Sequence, residues 1–145
     1  MSSPEMGRAD RSTLAARFVA GPKLFASQDA ERRLADWLGD VPPDVATALR
    51  KVPGSFPHAK AILEGIAEAT PYLFDLMRAD AGRVVRLLQA DPDSHLAALI
   101  DKAVVDVAAA ASEADVMTVL RRMKSEAALM IALCDIGGVD RKSVV

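Results

Sequence analysis

Between Ser112 and Gly138 one pattern dominates: Val116, Val119, Leu120, Met123, Ala127, Met130 and Cys134 follow one another at three- and four-residue spacing. That spacing collects them on one side of a helix and on neither face of a strand. Arg121, Arg122, Lys124 and Glu126 fall on the other faces. From Glu113 to Ile136 such a helix is about 36 Å long at ~1.5 Å per residue. Ser112 followed by Asp115 resembles a capping box, with Asp in place of the preferred Glu or Gln. Gly137–Gly138 is the natural C-cap. A helix of this length with a single apolar stripe has to lie against other helices, which commits the rest of the chain to supplying them.

The preceding residues are punctuated accordingly. Ser27 is placed to cap "QDAERRLADWL", which Gly39 ends. Pro42–Pro43 opens "VPPDVATALRKV", and Pro53–Gly54 is its expected stop. Ala59, Ile62, Leu63 and Ile66 form a stripe in "PHAKAILEGIAEA". Thr70–Pro71 and Asp91–Pro92 repeat a cap-plus-proline start, and Asp80 is placed to cap "AGRVVRLLQA". The segments between these starts differ in length and share no further pattern, so a solenoid is rejected. Alternating β-branched runs are absent and aromatics are only 4%. The expected fold is all-α: an irregular array of six or seven short helices ending in one long helix, about residues 113–136. Residues 1–26 read as a poorly ordered leader with at most one weak turn.

Charge and composition exclude several functions. A net charge of −2 gives no basic field for nucleic acid or an anionic membrane. Asp101, Asp106 and Glu113 interrupt the alanine-rich part, so no run approaches the ~18 apolar residues of a membrane span. The N-terminus has no apolar signal region. A single cysteine, Cys134, fits a reducing compartment. The expectation is a cytoplasmic soluble protein.

Candidate chemistry is sparse. His58 and His95 are far apart and have no ligand-spaced neighbours, so both read as surface or helix-start residues. Cys134 lies on the apolar stripe, as a small buried hydrophobe would. Asp91 and Asp93 superficially resemble a Mg²⁺-binding carboxylate pair, but capping explains Asp91 more simply. Gly137–Gly138 is followed by no phosphate-loop pattern. Arg121, Arg122 and Lys124 read as a solvated helix face, and Met117, Met123 and Met130 as core filler. No catalytic, cofactor-binding or metal residue is assigned.

Three stretches carry a family resemblance. "ILEGIAEATPYLFDLMRADAGRVVRLLQADPD" (Ile62–Asp93) resembles the early region of the glutamine synthetase adenylyltransferases: a small-Pro-Tyr-Leu helix start, a leucine-rich helix pair, then an Asp-Pro start. "ADVMTVLRRMKSEAALMIALCDIGGV" (Ala114–Val139) is similar to the family's next landmark, a long helix with "LRR" and an apolar run. "RRLADWL" (Arg32–Leu38) is similar to the leader of the alphaproteobacterial branch. Ala81 departs from the proline that members often carry after Asp80. The resemblance implies an enzyme with two nucleotidyltransferase-like domains, both requiring Mg²⁺. One transfers AMP from ATP to a tyrosine of glutamine synthetase, and the other removes it by phosphorolysis. The PII signal protein and glutamine bias that balance.

In the family the first glycine-rich turn, with its metal-binding carboxylates, follows the long helix and lies beyond Val139. None of those residues is therefore carried over here. The implied layout is a helical region over 27–139 that precedes the first nucleotidyltransferase domain and binds neither ATP nor Mg²⁺ by itself. Asp140–Val145, "DRKSVV", matches the in-frame translation of the sequencing-adapter stretch GATCGGAAGAGCGTCGTG and is expected to be a non-native tail. The alternative reading is a free-standing helical protein-interaction module. If the long stripe lacks its natural neighbour, Val or Met surface should be exposed and the chain should self-associate.

Overall fold

In the computed structural model the described residues are 13–22, 27–69 and 71–139. They form eight helices: α1 (Leu14–Arg17), α2 (Ser27–Asp40), α3 (Pro43–Ser55), α4 (Pro57–Ala69), α5 (Pro71–Ala79), α6 (Ala81–Gln89), α7 (Pro92–Ala109) and α8 (Glu113–Ile136). The all-α expectation, with short helices leading to one long one, holds among the described residues. The caps expected from the Ser27 and Thr70 side chains, and the tail 140–145, lie outside them.

The helix starts have the chemistry read from the sequence. Each of three N-caps accepts an orphan backbone N–H of the first turn. Asp80 accepts from Arg83 (3.2 Å) and Ser112 Oγ from Asp115 (3.1 Å). Asp91 Oδ1 takes two, from Asp93 (3.0 Å) and Ser94 (3.4 Å). At the far end of α8 the Val139 N–H donates to Cys134 O (2.8 Å) and the Gly138 N–H to Asp135 O (3.4 Å). Gly138 has φ +68°, and these two bonds together make a Schellman motif. One expected stop moves: α3 continues through Pro53–Gly54 to Ser55 and closes with the Phe56 N–H on Val52 O (2.8 Å). Proline removes one helix bond but its φ is already helical, so packing carries the helix through.

The core is built around α4 and the C-terminal half of α8. Ile62, Leu63 and Ile66 of α4 are buried, and α4 packs against α2, α3 and α5. Leu129, Met130, Leu133 and Cys134 are fully buried, and α5 packs on α8. Trp37 of α2 meets Phe74 of α5 edge-on, with ring centroids 6.3 Å apart. α7 and α8, joined by three residues, pack against each other as a hairpin.

Two expectations are corrected. First, the presumed leader is not wholly outside the core: its one turn, α1, and the residue after it pack inward. Leu14, Ala15 and Phe18 are buried, and the Leu14 N–H donates to Ala90 O (2.7 Å). The Val19 and Ala20 N–H groups both donate to Gly137 O (2.9 and 3.3 Å). Phe18 lies where a Cβ on Gly137 would stand, and Pro22 where one on Gly65 would. Glycine at both positions therefore lets this segment cross α8 and α4 at close range. Second, the stripe of α8 is not uniformly buried. Its first half carries exposed Met117 and Leu120, so Met117 is not core filler.

Candidate functional site

Arg83 and Arg86 are three apart on α6 and so share a face. His95 follows on the first turn of α7, and Glu126 stands midway along α8. The packing of these three helices brings the four side chains together. Arg86 Nη2 donates to Glu126 Oε1 (3.2 Å), and His95 Nε2 lies 2.6 Å from Oε2. Arg83 Nε is 3.9 Å from Oε1, while its Nη1 donates to Leu76 O (3.3 Å). Arg86 also reaches Asp80 Oδ2 at 3.3 Å, so the N-cap of α6 joins the network.

The Glu126 and Arg83 side chains are only 14% and 12% exposed. Burial on its own would lower the pKa of the Arg86 guanidinium. Hydrogen bonds to Glu126 and Asp80 outweigh it and hold that pKa above its ordinary value. The carboxylate of Glu126 is thus engaged by Arg86 and His95, with Arg83 close by. Its role is a clamp holding α6 and α7 on α8.

Beside the clamp is an open cleft of about 600 Å³, lined among others by Leu99, Lys102, Asp106, Val119, Arg122 and Met123. Lys102 Nζ donates to Asp106 Oδ2 at 2.6 Å. Arg122 is exposed and makes no ion pair among the described residues. What the cleft presents is one guanidinium for an anionic group, next to charges that already have partners.

The Asp91–Asp93 pair resolves differently from a metal site. Asp91 caps α7, and Arg17 Nη1 of α1 stands 3.7 Å from Asp91 and 3.6 Å from Asp93. One guanidinium thus stands between the two carboxylates and offsets part of their charge. No group of three His, Cys, Asp or Glu among the described residues is arranged to hold a metal ion.

Of the residues weighed in the sequence, His58 is exposed and Cys134 is fully buried. Arg121 and Lys124 are on the solvated face of α8, as expected, while Arg122 turns into the cleft. His95 does sit at a helix start but is engaged by Glu126, which sequence reasoning missed. The only legible signal was the three-residue spacing of Arg83 and Arg86. Their partner is 40 residues away from Arg86, beyond any local pattern.

Comparison with known proteins gives close matches. The chain is 61% identical over 128 residues, 88% of its length, to the bifunctional glutamine synthetase adenylyltransferase/adenylyl-removing enzyme of Rhodopseudomonas palustris strain BisB5. It is 57% identical over 140 residues to the enzyme of the same name from a Bradyrhizobium species, with 96% of the chain covered. A more distant relative of that name, from Xanthobacter autotrophicus, is 42% identical over 134 residues, 92% of the chain. The chain spans only 13 to 14% of the length of these relatives. No family model and no solved structure matches it.

Proposed function

We propose that this chain, a homologue of one short stretch of the bifunctional glutamine synthetase adenylyltransferase/adenylyl-removing enzymes, is the N-terminal helical region of such an enzyme and positions its first catalytic domain. The observation that carries this is 61% identity over 88% of the chain to a relative about eight times as long as the matched stretch.

On this reading the whole enzyme transfers AMP from ATP to glutamine synthetase and removes it again. It uses Mg²⁺, answers to the PII signal protein and works in the cytoplasm. The 145-residue chain by itself is catalytically silent. Two features support that silence. Arg17 faces both Asp91 and Asp93, and Arg86 and His95 engage Glu126, which gives these carboxylates structural partners. No helix of the described residues is long and apolar enough to cross a membrane.

The test uses labelled ATP, Mg²⁺ and glutamine synthetase. The 145-residue chain should transfer no AMP, whereas a chain extended to the relatives' length should. Deleting residues 13–139 from the extended enzyme should reduce transfer or phosphorolysis at least about tenfold, the scale on which misplacement of reacting groups acts. Transfer by the short chain would refute its silence, and full activity after the deletion would refute the positioning role.

A second reading, a free-standing helical interaction module, is favoured by the exposed Val104, Val105, Met117 and Leu120. Genomic sequence downstream of the coding region separates the two. An in-frame continuation into a glycine-rich turn with nearby aspartates supports the enzyme, and a stop codon supports the module.

A further inference from the structure

On the first half of α8, Glu113, Met117, Leu120 and Lys124 follow at spacings of four, three and four. They therefore form one straight stripe along the helix. All four are exposed, Met117 by 53% and Leu120 by 41%. The stripe does not line the cleft, to which α8 gives Val119, Arg122, Met123 and Glu126 instead. On α7, Ile100 and Val104 are likewise exposed, and the side facing the cleft is taken by Leu99, Lys102 and Asp106. The hairpin thus has a polar side, closed by the Glu126 clamp, and an apolar side left exposed among the described residues.

We propose that this stripe is the seam of a two-fold dimer, in which α8 pairs antiparallel with the same helix of a second copy of the chain. The argument is the order of the residues. The stripe is acidic at its N-terminal end, apolar in the middle and basic at its other end. An antiparallel copy sets Met117 against the partner's Leu120 and Leu120 against the partner's Met117. The same register sets Glu113 against the partner's Lys124 at one end, and Lys124 against the partner's Glu113 at the other. One translation satisfies all four positions at once, which is the self-complementarity an isologous interface requires.

A parallel pairing would instead stack Glu113 on Glu113 and Lys124 on Lys124. Neither residue has an ion-pair partner among the described residues, so both are available to the second copy. Ile100 and Val104 extend the apolar contact to either side of the seam. Four apolar side chains per copy make a small interface, so the dimer is a weak and reversible one.

Sedimentation equilibrium of the 145-residue chain, from about 1 μM to about 1 mM, reads the association directly. A monomer–dimer equilibrium is expected, and Leu120→Glu should abolish it. Glu113→Lys or Lys124→Glu alone should weaken the dimer about tenfold at low salt, because each puts like charges opposite one another at both ends. The double reversal, Glu113→Lys with Lys124→Glu, should return to within about threefold of the starting chain. Far-ultraviolet circular dichroism should show every variant as helical as the parent, since the substituted positions are exposed. A chain that stays monomeric throughout overturns the proposal, as does a dimer indifferent to the single reversals or not rescued by the double one. If the chain is monomeric but Met117→Cys is shielded from a thiol reagent in a length-extended enzyme, the occupant is another segment of that enzyme and the dimer is refuted.

Discussion

His95 Nε2 stands 2.6 Å from one oxygen of Glu126, and Arg86 Nη2 stands 3.2 Å from the other. One carboxylate on α8 thereby joins α6 and α7, across 40 and 31 residues of chain. Removing it leaves the guanidinium of Arg83, with its Nε buried and lacking a hydrogen-bond partner, beside no counter-charge. Glu126→Ala is expected to cost about 2–3 kcal/mol in urea unfolding. Glu126→Gln should cost less, because it keeps the shape and one acceptor. A change within about 0.5 kcal/mol for the alanine variant would show that the clamp contributes no stability.

Leu14 is completely buried although it lies in what reads as a leader. Leu14→Ala should lower stability by about 3 kcal/mol, the scale of a cavity left in a packed core. The same substitution in a frayed segment would have no measurable effect, so one melting curve distinguishes the two.

The ring of Phe18 occupies the space a side chain on Gly137 would need, and Gly137 also has its carbonyl bridged to Val19 and Ala20. Gly137→Ala is expected to destabilise by about 2 kcal/mol, because an aromatic ring and two backbone bonds must shift. Gly39→Ala is the control, since nothing lies within 4 Å of its added Cβ. It should be neutral or slightly stabilising, by up to about 1 kcal/mol. Thermal melts of the two variants side by side give the comparison.

Asp91 Oδ1 caps α7, and the same carboxylate faces Arg17 of α1. Asp91→Ala should cost about 1–2 kcal/mol, more than a cap on an isolated helix, because Arg17 also loses a partner. Asp91→Asn keeps the cap but not the charge and should recover most of the loss. Equal losses for the two variants would assign the effect to the ion pair.

Burial raises the pKa of the Glu64 carboxyl above its ordinary 4.5, with Lys60 pulling it down and Glu31 pushing it further up. A carboxyl that holds its proton more tightly folded than unfolded weakens the fold as pH rises from 4.5 through the raised value. Glu64→Gln removes that penalty. The variant should be more stable than the parent at neutral pH, by up to about 1 kcal/mol, with the difference vanishing as pH falls below the ordinary carboxylate range. A parent that is the more stable at neutral pH would reverse the assignment.

Much of this architecture is readable from local patterns. The starts at Asp80, Asp91 and Ser112 are visible because a cap needs only its own side chain and the next turn of backbone. The end at Gly137–Gly138 is visible for the same reason, since its bonds close within six residues. The stop at Pro53 was misplaced because tertiary packing outweighed a one-bond penalty. Segment 13–22 was hidden because a four-residue helix has no periodicity to read, and its order comes from contacts with Ala90, Gly137 and Gly65.

The sequence by itself determined that the chain is helical, where most helices begin, which residues of each could face inward, and the family whose pattern it follows. Those properties are set by dihedral preference, capping and period, all of which act within a turn or two. Only the tertiary structure decided that His95 and Arg86 meet on Glu126, that Arg17 faces both Asp91 and Asp93, and that half of the α8 stripe is buried while Met117 and Leu120 remain exposed. Periodicity marks a face as apolar, but whether another helix covers that face depends on contacts between residues far apart in the chain.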